Sequence, residues 1–551
     1  MPPRGVVTLL RPLLNPPPTV LARPSFGNSR IATTFSPSSK RSLTTTNERF
    51  KALLVERMRE RVGHRGSTRG VDSKRSFADL RSNRQSLLSL SRSHASSRRP
   101  TSPISLLQSR IRSLSTATLT PDPTASHPTP LTSSSSHASE SVREEEPRLT
   151  TPLVSKYLFL VAGMVFCIVI VGGMTRLTES GLSITEWNVI SGTQLPMNAE
   201  SWEQEFEKYR QTPEWKINNQ HITLSDFKRI YMWEWSHRML GRLIGLTFLL
   251  PLPYFIYRKQ LSRTALLPLL GIGSLIGGQG ALGWYMVKSG LDQESVESLG
   301  GVPRVSQYRL AAHLGMAFCV FSLCLRMGLG VKRDWQIAQL GKGLSRMNGG
   351  VGESLRVLDG KFVARMRVIV TALSGLVFLT AFSGAFVAGL DAGLIYNEWP
   401  TMGDGLSPGM GELYKDFYSR KEDKSDKWWR NMFENPTTAQ FDHRMLAYTT
   451  FASIVTLFGV TRRQSIKSRL PPLTNRLIKA SLHMSLLQVA LGISTLLYLV
   501  PTHLAATHQA GSLVLLTLVL GVGATLRRPG KVAREVLKIR RIKDKAAKLN
   551  V

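Results

Sequence analysis

Eight apolar runs, each long enough to cross a lipid bilayer, constrain the fold of this chain more than any other feature. A bilayer core of about 30 Å requires about 20 mostly apolar residues per helix. Because backbone polar groups in lipid must be satisfied within the segment, such runs predict α-helices and exclude an open sheet. The sequence therefore predicts an all-α polytopic membrane protein with eight transmembrane helices. These helices cover approximately residues 156–175, 237–257, 264–287, 309–329, 366–388, 442–460, 476–499 and 505–525.

The first part of the chain has a different composition. From Met1 to Arg148 it is rich in Arg, Ser, Thr and Pro, and no acidic residue precedes Glu48. A basic, hydroxyl-rich and acid-poor N-terminus is typical of a mitochondrial transit peptide, which we assign to residues 1–45. Residues 46–150 contain too little apolar surface to offset the entropy of ordering and are predicted to be disordered. The net charge of +34 would suit a nucleic-acid-binding tail, but this region supplies no base-reading module, and no nucleic-acid partner is expected.

Basic residues lie after every even-numbered run, whereas the other connections carry acidic residues. By the positive-inside rule, the basic ends and both termini are predicted to face the matrix of a mitochondrial inner membrane. The acidic connections then face the intermembrane space. The basic ends contain Arg258, Lys259, Arg263, Lys332, Arg333, Lys342, Arg346, Arg462, Arg463, Lys467, Arg469, Arg527, Arg528, Lys531 and Arg534.

The membrane part also contains an internal repeat. The sequence His-Arg-Met-Leu at 237–240 returns unchanged at 443–446, and Gln-x-Ala-Leu-Gly at 279–283 returns at 488–492. The step from Gly181 to Trp187 matches the step from Gly393 to Trp399. An even number of helices per unit means that both halves enter the membrane the same way round, which defines a parallel repeat. We therefore predict two pseudo-symmetric four-helix bundles.

This repeat sets the predicted domain limits. The N-terminal bundle covers residues 151–330, and the C-terminal bundle covers residues 366–526. A polar matrix linker at residues 331–365 joins the two bundles, and a basic matrix tail occupies residues 527–551. Anionic lipid of the matrix leaflet is the expected contact of that tail.

Four of the eleven histidines occupy repeated positions. His237 and His443 are placed at the start of the second helix of each half, and His313 and His508 at the start of the fourth. Two histidines at similar depth on facing helices form a recurrent axial ligand pair for haem iron. Next to two of them are Arg238 and Arg444, whose guanidinium groups could pair with haem propionates.

These histidines have other interpretations besides haem ligation. A single one could be an interfacial residue that caps or bridges helices, but ionisable groups inside membrane spans are costly and usually functional. A non-haem metal is disfavoured because clustered carboxylates and a tight His-x-x-His spacing are missing from the sequence. The three cysteines, Cys167, Cys319 and Cys324, lie inside apolar runs, which favours small buried residues over a disulfide or zinc framework.

One position breaks the repeat. Glu234 lies three residues before His237, one turn away on the same helix face, whereas Gln440 occupies the corresponding position before His443. We hypothesise that the first half carries out chemistry, with Glu234 handling protons or stabilising a cationic intermediate. The alternative is that Glu234 only caps the helix or pairs with Arg238.

The motifs at 234–238 (Glu-Trp-Ser-His-Arg), 311–315 (Ala-Ala-His-Leu-Gly), 441–447 (Phe-Asp-His-Arg-Met-Leu-Ala) and 506–511 (Ala-Thr-His-Gln-Ala-Gly) together resemble the haem A synthase family. The stretch Thr-Glu-Ser-Gly-Leu-Ser-Ile-Thr-Glu-Trp at 178–187 is most similar to its mitochondrial branch. The resemblance extends from about Leu158 to Leu526.

The resemblance implies an oxidoreductase that converts the ring methyl of haem O to a formyl group through hydroxymethyl stages, with water as the oxygen source. The product, haem A, serves cytochrome c oxidase assembly. It further implies a haem b cofactor held by His443 and His508, a substrate haem held by His237 and His313, and Glu234 as the essential glutamate. The cysteine pair that bacterial relatives often carry in an outward loop is missing here.

The resemblance also implies partners. Haem O and membrane lipid are expected, as is an electron-transfer partner such as ferredoxin with its reductase. A contact with haem O synthase and a homo-oligomer are further expectations. Two alternative functions stay open from the sequence: a di-haem b-type membrane electron carrier and a haem-binding chaperone. The difference between Glu234 and Gln440 favours the enzyme, because a carrier has no evident use for it.

Overall fold

The structure is a computed structural model that describes residues 147–188, 194–292, 305–343 and 358–549. All of these residues belong to one compact unit, Ser133–Val551. The transit peptide predicted at 1–45 and nearly all of the disordered region predicted at 46–150 lie outside the described residues.

Within the described residues the fold is helical without strands, and eight helices are long and apolar enough to cross a membrane. The predicted all-α polytopic fold is therefore confirmed. We number these helices α1 to α8. They are α1 Pro152–Leu177, α2 Leu224–Leu249 with its continuation Pro251–Tyr257, α3 Leu266–Leu291, α4 Gln307–Gly343, α5 Lys361–Gly389, α6 Pro436–Arg462, α7 Pro472–Leu497 and α8 Thr502–Leu526.

The start of α2 differs from the sequence prediction by several turns. Helix α2 begins at Leu224, several turns before the predicted start at residue 237. Thr223 and Asp226 form a capping box there, in which the Thr223 Oγ1 accepts from the Asp226 amide at 3.3 Å and the Thr223 amide donates to Asp226 Oδ2 at 3.2 Å. His237 consequently lies well inside α2 rather than at its start, and that part of the prediction was wrong.

The helix contacts follow the same order in both halves. In the first half α1 contacts α2, α2 contacts α3, α3 contacts α4, and α4 returns to α1; in the second half α5 to α8 repeat this order. Helices α1, α4, α5 and α8 form the contacts between the halves. The predicted four-helix units agree with this pattern, and the rotation axis that would relate them stays a prediction.

Close backbone approach holds the helices together at the α1–α4 contact. A Cβ placed on Gly328 would come within 2.8 Å of a ring carbon of Phe159, and the Ser155 hydroxyl donates to the Gly328 carbonyl at 2.9 Å. Lipid is as apolar as a leucine side chain, so membrane helices associate through such close packing and hydrogen bonds rather than through the hydrophobic effect. This contact sets the distance between α1 and α4 in the first half.

Folded segments also lie outside the eight spans. Between α1 and α2, the helix Ala199–Arg210 packs Phe206 and Tyr209 against Phe227 and Tyr231 at the beginning of α2. This aromatic cluster explains why α2 begins so early, since its polar first turns pack on protein. After α8, the basic tail forms the amphipathic helix Lys531–Leu549, which contacts α4.

Candidate functional site

The four repeated histidines meet in two pairs, each across the diagonal of its half. The ring centroids of His237 on α2 and His313 on α4 are 6.3 Å apart. Those of His443 on α6 and His508 on α8 are 6.5 Å apart. Two metal–nitrogen bonds of about 2 Å and two ring radii of about 1 Å place the centroids roughly 6 Å apart. Each pair therefore has the spacing that would let both imidazoles bind one iron.

Three of the four histidine rings have no protein hydrogen bond on Nδ1 within the described residues. The Nδ1 atoms of His237, His313 and His508 are buried and have no hydrogen-bond partner in the described part of the chain. An unsatisfied buried polar atom costs about 1–3 kcal/mol. Because an imidazole that binds iron through Nε2 turns Nδ1 away from it, the spacing of the paired rings carries the interpretation as ligands.

Each histidine ring lies against a glycine of a neighbouring helix. The packing is so close that a Cβ at the glycine would be 2.5 to 3.4 Å from the histidine Cε1. The pairs are Gly172 with His237, Gly283 with His313, Gly384 with His443, and Gly492 with His508. The sequence repeat aligns Gly172 with Gly384 and Gly283 with Gly492, and the structure shows that these glycines make room for the rings.

Two glutamines fix the histidine backbones. The Gln279 amide nitrogen donates to the His313 carbonyl at 3.0 Å, and the Gln488 amide nitrogen donates to the His508 carbonyl at 3.0 Å. Each bond joins the third helix of a half to its fourth. The repeat again contained the signal, as the first residue of the Gln-x-Ala-Leu-Gly motif, but its function required the structure.

Glu234 is buried, and its carboxylate is fully engaged. Its Oε2 accepts from the Ser183 hydroxyl at 2.7 Å and from the Ile184 amide at 2.8 Å, while its Oε1 accepts from Arg238 Nη2 at 2.6 Å. Of the two alternatives to a catalytic role, the pairing with Arg238 is present, whereas helix capping was wrong because the helix begins at Leu224. These donors stabilise an ionised carboxylate one turn from His237.

In the second half, the side chain at this position donates a hydrogen bond to the loop instead of accepting one. The Gln440 amide nitrogen donates to the Tyr396 carbonyl at 3.1 Å, and its Oε1 is buried without a partner in the described residues. Tyr396 and Ile184 are corresponding residues of the repeated loop, three positions after Gly393 and Gly181. The first-half loop offers an N–H group to a carboxylate, whereas the second-half loop offers a carbonyl to an amide.

Arg238 and Arg444 each donate hydrogen bonds to backbone carbonyls of an outer loop, the segment that follows α1 in the first half and α5 in the second. Arg238 donates to the Ile184 and Glu186 carbonyls at 2.8 Å each. Arg444 donates to the carbonyls of Tyr396, Glu398 and Thr401 at 3.0, 2.9 and 3.0 Å. Sequence reasoning missed this role, although the repeated Glu-Trp step of the loop contained a signal for it. A contact of either arginine with a haem propionate stays a prediction.

Comparison with known proteins gives consistent matches. A family model described as cytochrome oxidase assembly protein matches residues 155–520. Heme A synthase COX15 of Saccharomyces cerevisiae is 45% identical over 407 residues, which are 73% of this chain and 80% of the relative. The Homo sapiens protein of the same name is 44% identical over 379 residues, 69% of this chain and 84% of the relative. A Heme A synthase-mitochondrial ferredoxin fusion protein of Schizosaccharomyces pombe is 44% identical over 387 residues, 70% of this chain and 62% of that longer protein.

Proposed function

This chain belongs to the cytochrome oxidase assembly protein family, and from that premise we propose that its two histidine pairs hold two haems with different roles. The chain is a haem A synthase, an oxidoreductase that acts on the ring methyl of haem O, and it crosses a mitochondrial membrane several times. His237 and His313 receive haem O as the substrate. His443 and His508 hold haem b as the cofactor.

The difference between Glu234 and Gln440 carries this division of roles. Both side chains are buried, at 3% and 1% exposure, and both contact the same position of the repeated loop. Only Glu234 can hold a negative charge, and hydrogen-bond donors surround its carboxylate. A charge kept beside one haem and replaced by an amide beside the other supports chemistry in the first half.

The reaction places a definite demand on Glu234. Converting a methyl to a formyl group takes two two-electron oxidations with oxygen from water, and each oxidation releases two protons. A carboxylate one turn from the substrate ligand His237 can accept a proton or stabilise positive charge on the oxidised carbon. Arg238 and Ser183 hold the carboxylate in place. When bound, the cofactor haem would accept the four released electrons one at a time and pass them to the electron-transfer partner.

The proposed location and partners extend these statements. The basic ends of the even-numbered helices support an inner-membrane protein with both termini in the matrix and the haem sites toward the intermembrane space. The relative that is fused to mitochondrial ferredoxin supports a ferredoxin as electron partner. Its reductase, a haem O synthase and a second copy of this chain stay predictions.

Haem extraction from purified protein supplied with haem O tests the proposal. We expect haem b together with haem O, its hydroxylated form or haem A. His443→Ala should lose haem b, whereas His237→Ala should keep haem b and lose conversion of haem O. His483→Ala and His503→Ala, which alter histidines outside the pairs, serve as controls. Recovery of haem b alone would favour the electron carrier.

A further inference from the structure

His443 differs from the other three paired histidines in the contact of its Nδ1 atom. Ser383 on α5 places its Oγ 2.8 Å from His443 Nδ1. The Nδ1 atoms of the other three histidines are buried without a partner in the described residues. Within the described part of the chain, His443 is therefore the one candidate ligand whose Nδ1, the ring nitrogen that would face away from iron, has a hydrogen-bond partner.

The direction of this hydrogen bond follows from the second contact of the serine. The Ser383 hydroxyl also lies 2.8 Å from the Thr380 carbonyl, to which it can only donate. A hydroxyl has one hydrogen; when that hydrogen is donated to the Thr380 carbonyl, the Ser383 oxygen accepts from the His443 Nδ1–H group. His443 then carries its proton on Nδ1, and its Nε2 lone pair is free to bind iron.

The first half lacks this arrangement. Ser383 directly precedes Gly384, the glycine packed against His443; the residue that precedes Gly172, the glycine packed against His237, is Val171. A valine side chain has no group that could accept from the His237 ring. The two halves thus share the glycine but differ in the neighbouring hydroxyl.

We propose that Ser383 is a positioning residue that fixes the tautomer of His443 and makes it a stronger ligand for the cofactor haem. This inference rests on the proposed assignment of haem b to the second half. A hydrogen bond from the distal ring N–H raises the basicity of a ligating imidazole. A more basic imidazole favours ferric over ferrous iron, so the serine lowers the reduction potential of this haem and slows its loss. The valine in the first half leaves His237 a weaker ligand, as suits a substrate that must leave as product.

The test uses the full chain, purified with haem b and without haem O. Its reduction potential is measured by absorption-monitored titration, and its haem loss by transfer to excess apomyoglobin. In Ser383→Ala we expect the preference for ferric over ferrous haem to fall at least tenfold, which equals a rise of about 59 mV in reduction potential. We also expect haem to be lost at least tenfold faster. Ser383→Thr keeps the hydroxyl and should stay close to the parent protein.

A matched control lies on the same helix. Among the described residues, the Ser374 hydroxyl bonds to the Val370 carbonyl of its own helix alone, so Ser374→Ala should change neither quantity. An unchanged potential and an unchanged rate of haem loss in Ser383→Ala would overturn the inference. Complete haem loss in folded Ser383→Ala but not in Ser374→Ala would support it.

The failure of the underlying assignment is recognised separately. If His443→Ala retains its full content of haem b, the proposed second-half site is wrong whatever Ser383 does. If His443→Ala loses haem b and Ser383→Ala behaves like the parent protein, only the role of the serine is wrong. In the reverse direction, Val171→Ser should slow the release of the first-half haem, and unchanged release would contradict the comparison between the halves.

Discussion

Gly172 lies directly against the imidazole of His237, so that a Cβ at this position would come within 2.5 Å of Cε1 and 2.9 Å of Nδ1. Real Cβ contacts are not this short, and the opposing group is a half-buried imidazole ring rather than the end of a flexible side chain. At the corresponding Gly384, the Cβ would be 3.3 Å from Cε1 of His443. The first-half ring therefore has less room to move than its second-half counterpart.

Gly172→Ala should lower the conversion of haem O by roughly 10²-fold, because displacing a reacting group by about 1 Å costs that much. The added methyl group pushes the His237 ring out of line with His313. The measurement is the rate of formation of hydroxylated haem O and haem A, with haem b content recorded in parallel. Haem b should be unaffected, because the change lies in the first half.

Gly163→Ala is the matched control for this prediction. Gly163 lies on the same helix, and a Cβ there meets no atom within 4 Å, so activity should not change. Gly384→Ala should retain most of its haem b, since a shift of a few tenths of an ångström accommodates the methyl group. Equal losses of activity in Gly163→Ala and Gly172→Ala would show that alanine at either glycine of α1 is harmful, so displacement of the His237 ring would no longer explain the loss.

Glu234→Gln should reduce conversion of haem O by about 10² to 10⁴-fold, the range expected for a positioned proton-transfer group. The amide can still accept from Ser183 and Ile184 but holds no charge against Arg238. Haem b content and the spectrum of the second half should match those of the parent protein. Normal product formation with normal haem content would end the catalytic assignment of Glu234.

Glu214 gives a prediction about pH. Its side chain is 5% exposed, and its Oε2 has no partner within the described residues. Burial, and after it the negative charges of Glu234 and Glu179, raise the pKa of Glu214 well above its usual value. A carboxyl whose pKa is raised by folding is protonated in the folded state, so its contribution to stability is complete below the unfolded pKa of about 4.3 and declines as the pH rises toward the folded pKa.

Glu214→Gln replaces the protonated acid by a neutral group of similar shape. The melting temperature of the detergent-solubilised variant should therefore fall less between pH 5 and pH 8 than that of the parent protein. Glu422→Gln, at an exposed position of the second-half loop, provides the control for the loss of one charge. Parallel pH profiles for the parent protein and Glu214→Gln would contradict a protonated Glu214.

The sequence predicted what depends on hydropathy and on repetition, and missed what depends on tertiary contact. Helix number and the pairing of His237 with His313 and of His443 with His508 follow from apolar runs and from matched positions. The beginning of α2 at Leu224 does not, because its polar turns are stabilised by an aromatic cluster that packs on them from a preceding segment. Ser383 was missed for a related reason: one hydroxyl in an apolar helix carries no periodic signal, and only the fold brings it to His443.

Arg444 has two candidate roles, anchoring the outer loop and binding a haem propionate, which the sequence could not distinguish. Its guanidinium spans three loop carbonyls, a geometry that the compact ammonium of lysine does not reproduce. If the arginine chiefly anchors the loop, Arg444→Lys should increase hydrogen–deuterium exchange in peptides that cover residues 394–404, while haem b content stays near that of the parent protein. Arg463→Lys, at the exposed end of the same helix, should change neither. Loss of haem b with unchanged exchange in the loop would instead identify Arg444 as a propionate ligand. The atom available for that contact would be Arg444 Nε, which is buried and has no partner in the described residues.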